Sequence, residues 1–255
     1  MTPATANQQI KLTATYTDAQ GFTNSTSAIQ GTAGNDTLKD TGYSNTHLSG
    51  LDGNDRLYSS AYNDILDGGN GQDSADYGNA ASGVTINLAL TSVQNTKGSG
   101  IDTLLSIEAI NGSYFNDVLL GNTANNTLSG GNGNDLLAGS LGNDTLTGGL
   151  GQDTFAFNSA LGAGNIDTIT DFNVANDTIR LSKGIFTTLT SGVLAAEAFK
   201  ILGNGGVEDG SDHLLYNTAT GALSYDADGS GAGAAVQIAI LGTGLAMTNA
   251  DFMVA

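Results

Sequence analysis

One apolar side chain in every nine residues is the pattern that dominates this sequence. Leu57, Leu66 and Ala75 stand nine apart, and so do Leu119, Leu128, Leu137, Leu146 and Phe155. The residues between them are mostly Gly, Asn, Asp, Ser and Thr. So sparse a stripe fits neither the 3.6-residue period of a helix nor the alternation of a long strand. A fixed short period predicts a solenoid, in which each repeat buries its lone apolar residue against its neighbours. Three successive copies show the unit most plainly: GGNGNDLLA (130–138), GSLGNDTLT (139–147) and GGLGQDTFA (148–156). Each reads Gly-Gly-x-Gly-x-Asp-x-apolar-x, with small departures at the second position.

The glycines let the backbone take positive φ, so six residues can turn tightly with several carbonyls aimed inward. The sixth-position carboxylate joins that ring of oxygens, and the eighth residue points into the core from a very short strand. Further copies place Asp36 in GTAGNDTLK, Asp55 in GLDGNDRLY, Asp64 in SSAYNDILD, Asp73 in GGNGQDSAD, Asp117 in GSYFNDVLL and Asn126 in GNTANNTLS. Asp40 to Ser49 is a degenerate ten-residue turn that shifts the phase by one. A full solenoid turn takes two repeats, so stacked turns sit 18 residues apart. Asp55 and Asp73, Asp117 and Asp135, Asn126 and Asp144, and Asp135 and Asp153 all keep that spacing. Asp153 plus 18 lands on Asp171, which is predicted to close the last site. Asp36 and Asp55 are 19 apart, so that pair needs the degenerate turn to absorb a residue. Carbonyl and carboxylate oxygens suit Ca²⁺, and nothing softer is offered; about five to eight ions are expected.

Outside the repeats the texture changes. In residues 1–29, Ile10, Leu12, Ala14 and Tyr16 alternate with polar residues, Asp18 to Gly21 makes a turn, and Phe22 to Ala28 forms a return strand. This is either a short leader packed on the roll or the last hairpin of an Ig-like repeat, similar to the tandem repeats of large bacterial adhesins. Residues 30–76 form a first roll and 112–156 a second. Residues 77–111 lose the period and either continue the solenoid irregularly or plug between the rolls. Residues 157–255 read as an antiparallel β cap with one short helix at Leu194 to Leu202, since an open solenoid end would leave strand edges unpaired. The predicted fold is all-β: a calcium-bound parallel β-roll with a β cap.

Charge sharpens this picture. Among 255 residues, 25 are acidic and 7 basic, a formal net charge of −18. Such a chain repels nucleic acid and anionic membranes. The acids recur at fixed spacing, which points to cation sites more than to a solvating surface. With no Cys, neither disulfides nor thiolate sites are available. His47 and His213 are the only histidines and form no HExxH pattern, so no zinc protease centre is expected within this chain. No Ser-His-Asp or paired-carboxylate arrangement marks it as an enzyme. No stretch approaches ~20 apolar residues, so membrane insertion is not expected. The opening MTPATANQQIK lacks the apolar region of a signal peptide. Asp226 to Gly231 (DADGSG) has the start of an EF-hand loop without its twelfth-position Glu, and reads more readily as a hairpin turn.

The nonapeptides resemble the RTX, or hemolysin-type calcium-binding, repeat family. The tail is similar to the C-terminal domain of serralysin-type members through Asp153-Thr-Phe155, Asp167-x-Ile-x-Asp-Phe172, Tyr216-Asn217-x-x-x-Gly221-x-Leu-x-Tyr-Asp226 and the ending Asp251-Phe-Met-Val-Ala255. The resemblance implies that the sixth-position residues bind calcium together with backbone carbonyls of the first four positions. Here those are Gly50, Asp52 and Gly53; Gly68, Gly69, Asn70 and Gly71; Gly130, Gly131, Asn132 and Gly133; Gly139, Leu141 and Gly142; and Gly148, Gly149, Leu150 and Gly151. Departures fall at Asn126, at Ser59-Ser60 in place of Gly-Gly, and at the small Ala75. The resemblance further implies a type I secretion machinery as partner, read through a terminal signal at Asp251, Phe252, Met253 and Val254. It also implies secretion to the medium or the cell surface of a Gram-negative bacterium. Two wholes are compatible with it: a surface protein of adhesin or S-layer type with partners at the cell surface or upstream in the chain, or an exported protease or lipase whose folding module this is.

Overall fold

The eighth-position residues stack on one another, and that stacking builds the fold. The computed structural model describes residues 10–17, 23–39, 44–203 and 208–255, which form two compact units, residues 1–119 and 120–255.

In the first unit, Thr37–Lys39, Arg56–Tyr58, Ser74–Asp76 and Ala109–Asn111 pair in parallel succession. Leu38 faces Leu57, Leu57 faces Ala75 and Ala75 faces Ile110. A second parallel sheet runs through Asn45–Asp52, Ile65–Asn70 and Gly100–Leu105, with Leu48, Leu66 and Leu104 in register. All seven of these apolar residues are 3% exposed or less. The hairpin is present as Ile10–Thr17 paired antiparallel with Thr23–Gln30; its turn, residues 18–22, lies outside the described residues. Its second strand also pairs in parallel with Asn45–Asp52 and sets Ile29 opposite Leu48, so the hairpin extends the roll's own sheet.

Residues 77–111 continue the solenoid. They supply the next strand of each sheet after an excursion in which Gln94–Lys97 folds back antiparallel on Gly100–Leu105. Val84, Ile86 and Leu88 on that excursion are buried.

In the second unit, Thr127–Asn132, Thr145–Leu150 and Asp167–Ile169 pair in parallel, with Leu128, Leu146 and Ile169 in register. Opposite them run Leu136–Ala138, Thr154–Phe157, Thr178–Leu181 and Phe252–Val254, also parallel, with Leu137, Phe155, Ile179 and Phe252 in one row. The tail therefore departs from the predicted antiparallel cap. Parallel pairing carries on past Ala156 through Thr178–Leu181 and Phe252–Val254, and Val236–Ile240 continues the other sheet in parallel with Asp167–Ile169. Only then do Leu214–Asn217, Ala222–Tyr225 and Val236–Ile240 form an antiparallel meander, with Gly192–Val193 antiparallel to the end of the other sheet. Longer connections hid the period, but the apolar row that drives stacking persists. Leu194 to Leu202 is likewise not one helix. It is a single 3₁₀ turn, Ala196–Ala198, followed by the strand Phe199–Leu202, which pairs with Leu214–Asn217. A nine-residue isolated helix is marginal, and Phe199 and Ile201 gain more from an adjacent strand.

Because each row is one residue wide, a truncation leaves a cavity that no neighbour can fill. Leu146→Ala is expected to destabilise the folded protein by ~2–5 kcal/mol, measured by denaturant unfolding in saturating calcium.

Candidate metal centre

The sixth-position residues are buried and stacked into columns by one repeated hydrogen bond. In each, the backbone N–H of one sixth-position residue donates to the carboxylate of the residue a full turn ahead. Asp36 N–H donates to Asp55 Oδ1 at 2.7 Å, and Asp55 N–H to Asp73 Oδ1 at 2.7 Å. In the second unit, Asn126 N–H donates to Asp144 Oδ1 at 2.7 Å, and Asp135 N–H to Asp153 Oδ1 at 2.9 Å. The turn geometry behind this is the one the glycines were read for. At the second position Leu51, Gly69, Gly131, Ser140 and Gly149 have φ of 81°, 96°, 106°, 77° and 99°. At the fourth, Gly53, Gly71, Gly133, Gly142 and Gly151 are left-handed too. Leu51 occupies that conformation at a cost that glycine would not bear, so Leu51→Gly is expected to raise stability by roughly 0.5–1 kcal/mol, read from a denaturant midpoint in calcium.

The columns run further than the 18-residue spacing foretold. Asp64 N–H donates to Asp102 Oδ1, Asp73 N–H to Glu108 Oε2, Asp144 N–H to Asp167 Oδ1 and Asp153 N–H to Asp177 Oδ1. These residues lie 38, 35, 23 and 24 positions ahead, so the period could not find them. Asp171 does not stand above Asp153 as the spacing predicted. A longer connection gives that place to Asp177, and the Asp171 carboxylate accepts instead from the N–H groups of Gly148 and Gly149, at 2.9 and 2.8 Å. Thr46 holds the sixth position of the degenerate turn and donates its N–H to Asp64 Oδ1.

A second ladder runs beside the first. The fifth-position side-chain oxygens of Asn35, Asn45, Asn54, Asn63, Asn125, Asn134 and Asn143 each accept the N–H of the fifth-position residue one turn ahead, at 2.8 to 3.2 Å. The signal was present in the sequence as a recurrent Asn at position five.

Whether these residues fit a cation is decided by what the carboxylates lack. Asp55, Asp73, Asp144 and Asp153 are each 2% exposed or less, and the Oδ2 atom of each is buried without a hydrogen-bond partner. A buried charged oxygen left unpaired is costly, so four repeats of it at equivalent places call for a positive partner. The space beside them is lined by oxygen. A Cβ on Gly50 would run into Asp55 Oδ2 and the Gly68 carbonyl, and one on Gly130 into Asp135 Oδ2 and the Gly148 carbonyl. Among the described residues, no three His, Cys, Asp or Glu side chains converge. The donors are therefore single carboxylates and backbone carbonyls, a set that fits calcium. Burial raises the carboxyl pKa of Asp55, Asp73, Asp117, Asp144, Asp153 and Asp177 above the ordinary value. It pushes Asp102 and Asp167 up to about 7.

Two other sequence features have plain structural roles. Asp226 to Gly231 lies in the connection between Ala222–Tyr225 and Val236–Ile240, and the Asp228 carboxylate accepts from Gly233 N–H at 3.0 Å. Asp251 completes a capping box with Thr248, while Phe252 and Val254 are buried on the strand that follows.

The RTX calcium-binding nonapeptide repeat family matches in four copies, at residues 28–42, 49–80, 111–146 and 120–155. Among solved structures, the extracellular lipase LipA from Serratia marcescens is similar, with 18% identity and a TM-score of 0.27 over 88% of this chain. The match spans 39% of the lipase chain. No curated protein matches.

Proposed function

We propose that this chain, which carries RTX calcium-binding nonapeptide repeats, is a module that stays unfolded at cytosolic calcium, leaves the cell as a chain and folds on meeting calcium outside. The observation that carries this reading is the set of buried, unpartnered carboxylate oxygens at Asp55, Asp73, Asp144 and Asp153. In the folded chain these carboxylates and the neighbouring glycine carbonyls hold the ion, and the column hydrogen bonds fix where each carboxylate points. Bound calcium supplies the positive charge that the columns lack; about five to eight ions would bring −18 to between about −8 and −2. Extracellular calcium modules bind at ~10⁻⁴ to 10⁻³ M, so cytosolic calcium leaves such sites empty.

The C-terminal segment supports export before folding. Phe252 and Val254 are at most 1% exposed and Asp251 is 8% exposed. A type I exporter that reads Asp251 to Val254 must therefore meet them before the last parallel strand forms. Export places the chain in the medium or on the cell surface. One reading of the whole is a surface protein of adhesin or S-layer type; the hairpin does not itself support it, because Thr23–Gln30 extends the roll's own sheet. The second reading, the folding module of an exported hydrolase, rests on the repeat itself. Calcium-dependent cell attachment by the parent protein supports the first, and hydrolase activity in it the second.

Proteinase K digestion at two calcium levels tests the folding switch. Rapid, complete digestion at submicromolar free calcium and protection at 5–10 mM (about physiological-to-excess for such sites) are the expected results. Equal resistance at both levels overturns the proposal.

A further inference from the structure

The sixth-position residues are not equivalent, and the difference lies in the second residue of each turn. In one class the chain closes its own carboxylate. Thr32 N–H and hydroxyl donate to Asp36 Oδ2 at 2.6 and 2.8 Å. Ser60 N–H and hydroxyl donate to Asp64 Oδ2 at 2.9 and 2.7 Å. Ser113 N–H donates to Asp117 Oδ2 at 2.6 Å, and its hydroxyl to Oδ1 at 2.8 Å. The pattern recurs without the hydroxyl where Asn122 N–H meets Asn126 Oδ1 and Asn173 N–H meets Asp177 Oδ2, both at 2.8 Å. None of these five second-position residues has a left-handed backbone.

In the other class the second residue is left-handed, and no N–H from it closes the carboxylate. These are the turns of Leu51, Gly69, Ser140 and Gly149, whose carboxylates at Asp55, Asp73, Asp144 and Asp153 keep a buried, unpartnered Oδ2. Gly131 gives the Asp135 turn the same backbone shape. A left-handed residue turns its N–H away from the loop interior, so the carboxylate oxygen stays available to a cation. An extended or right-handed one folds the N–H over it, and the hydrogen bond takes the place the ion would fill.

The geometry points to a division of labour among the repeats: calcium is held at the open turns of Asp55, Asp73, Asp135, Asp144 and Asp153, while the self-closed turns of Asp36, Asp64, Asp117, Asn126 and Asp177 hold none. This rests on the calcium reading above and deepens it. It accounts for the two departures from the repeat that were otherwise unexplained. Ser60 replaces glycine because its backbone and hydroxyl close Asp64, and Asn126 can replace Asp because its turn needs no charge. It also accounts for where the classes fall. Asp36 and Asn126 are each followed in their column by an open turn, at Asp55 and Asp144. Asp177 follows Asp153, the last open turn of its column. A self-closed turn can be built before any ion arrives, so it offers a preformed edge on which a neighbouring open turn can stack.

Counting bound calcium per chain by native mass spectrometry tests this with the full chain. Asp55→Asn and Asp144→Asn are expected to hold at least one ion fewer than the wild type at saturating calcium. Asp64→Asn and Asp177→Asn are expected to keep the wild-type count, while needing more calcium to fold, because the new amide group faces the N–H that the carboxylate accepted. If Asp64→Asn fails to fold at any calcium level, Ser60→Ala removes one closing donor and leaves the charge, and its expected count is again unchanged. Loss of an ion in Asp64→Asn, Asp177→Asn or Ser60→Ala overturns the division, as does a full count in Asp144→Asn. A wild-type chain that binds no calcium at all would instead refute the calcium reading, which separates the two failures.

Discussion

Excess chelator is expected to unfold this protein outright at room temperature. Any ligand bound by the native state alone stabilises it by mass action: roughly 1.4 kcal/mol per site at ten times the dissociation constant and about 2.7 at a hundred times. Five to eight such sites sum to roughly 7–20 kcal/mol, against a typical domain stability of about 5–15. Nothing else in the chain makes up such a loss. The core of each repeat is one apolar side chain, and 37 glycines raise the entropy that folding must overcome. Charge works against folding as well, since the stacked carboxylates within a column face one another without a counter-ion. Far-UV circular dichroism during a calcium titration reads the transition directly. A fully formed sheet in excess chelator would show that hydrogen bonding and the apolar rows suffice without the ion.

Acid should partly replace calcium. Burial raises the carboxyl pKa at several sixth-position residues, and at Asp102 and Asp167 it reaches about 7 against an ordinary 3.8. A carboxyl with a raised folded pKa binds more protons in the native state than in the unfolded one. Its contribution is therefore present below about pH 4 and is lost as the pH rises through the folded value of about 7. In chelator, where the chain is unfolded at pH 8, sheet content should accordingly rise as the pH falls towards 5. Calcium reverses the slope, because protons must leave the carboxylates for the ion to be held. The difference in sheet content with and without calcium should thus narrow steadily towards acid. Asp102→Asn should flatten the chelator slope, since that buried position then carries no titrating charge while Ser59 and Tyr77 remain beside it. A chelated protein that is most stable at pH 8 would contradict this account of the buried carboxylates.

Where the sequence was legible, it was legible because the physics there is local and repeats. A turn of six residues needs its glycines at fixed places, and a row of single apolar residues needs them nine apart. Leu38, Leu57 and Leu66 in the first unit, and Leu128, Leu137, Leu146 and Phe155 in the second, are all fully buried. The hairpin at Ile10–Thr17 was readable for the same reason, as an alternation complete within one segment. The tail was harder. Thr178–Leu181 and Phe252–Val254 continue the apolar row after connections of different length, so no period announces them and their partners are chosen by packing alone.

The sequence by itself thus determined the solenoid, the single-file core and the sixth-position columns, because each follows from spacing that any one repeat already contains. Only the tertiary structure decided which residues extend those columns and which turns stay open. Asp102, Glu108, Asp167 and Asp177 reach their places through long connections, and a chain that has closed a loop of 23 to 38 residues keeps no trace of the distance in its local pattern. Whether Ser60 closes over Asp64, or Ser140 leaves Asp144 open, is likewise not written in the residue type. Both are serines at the second position. One has φ of 77° and the other is not left-handed, and that backbone choice settles whether an N–H or a cation satisfies the carboxylate.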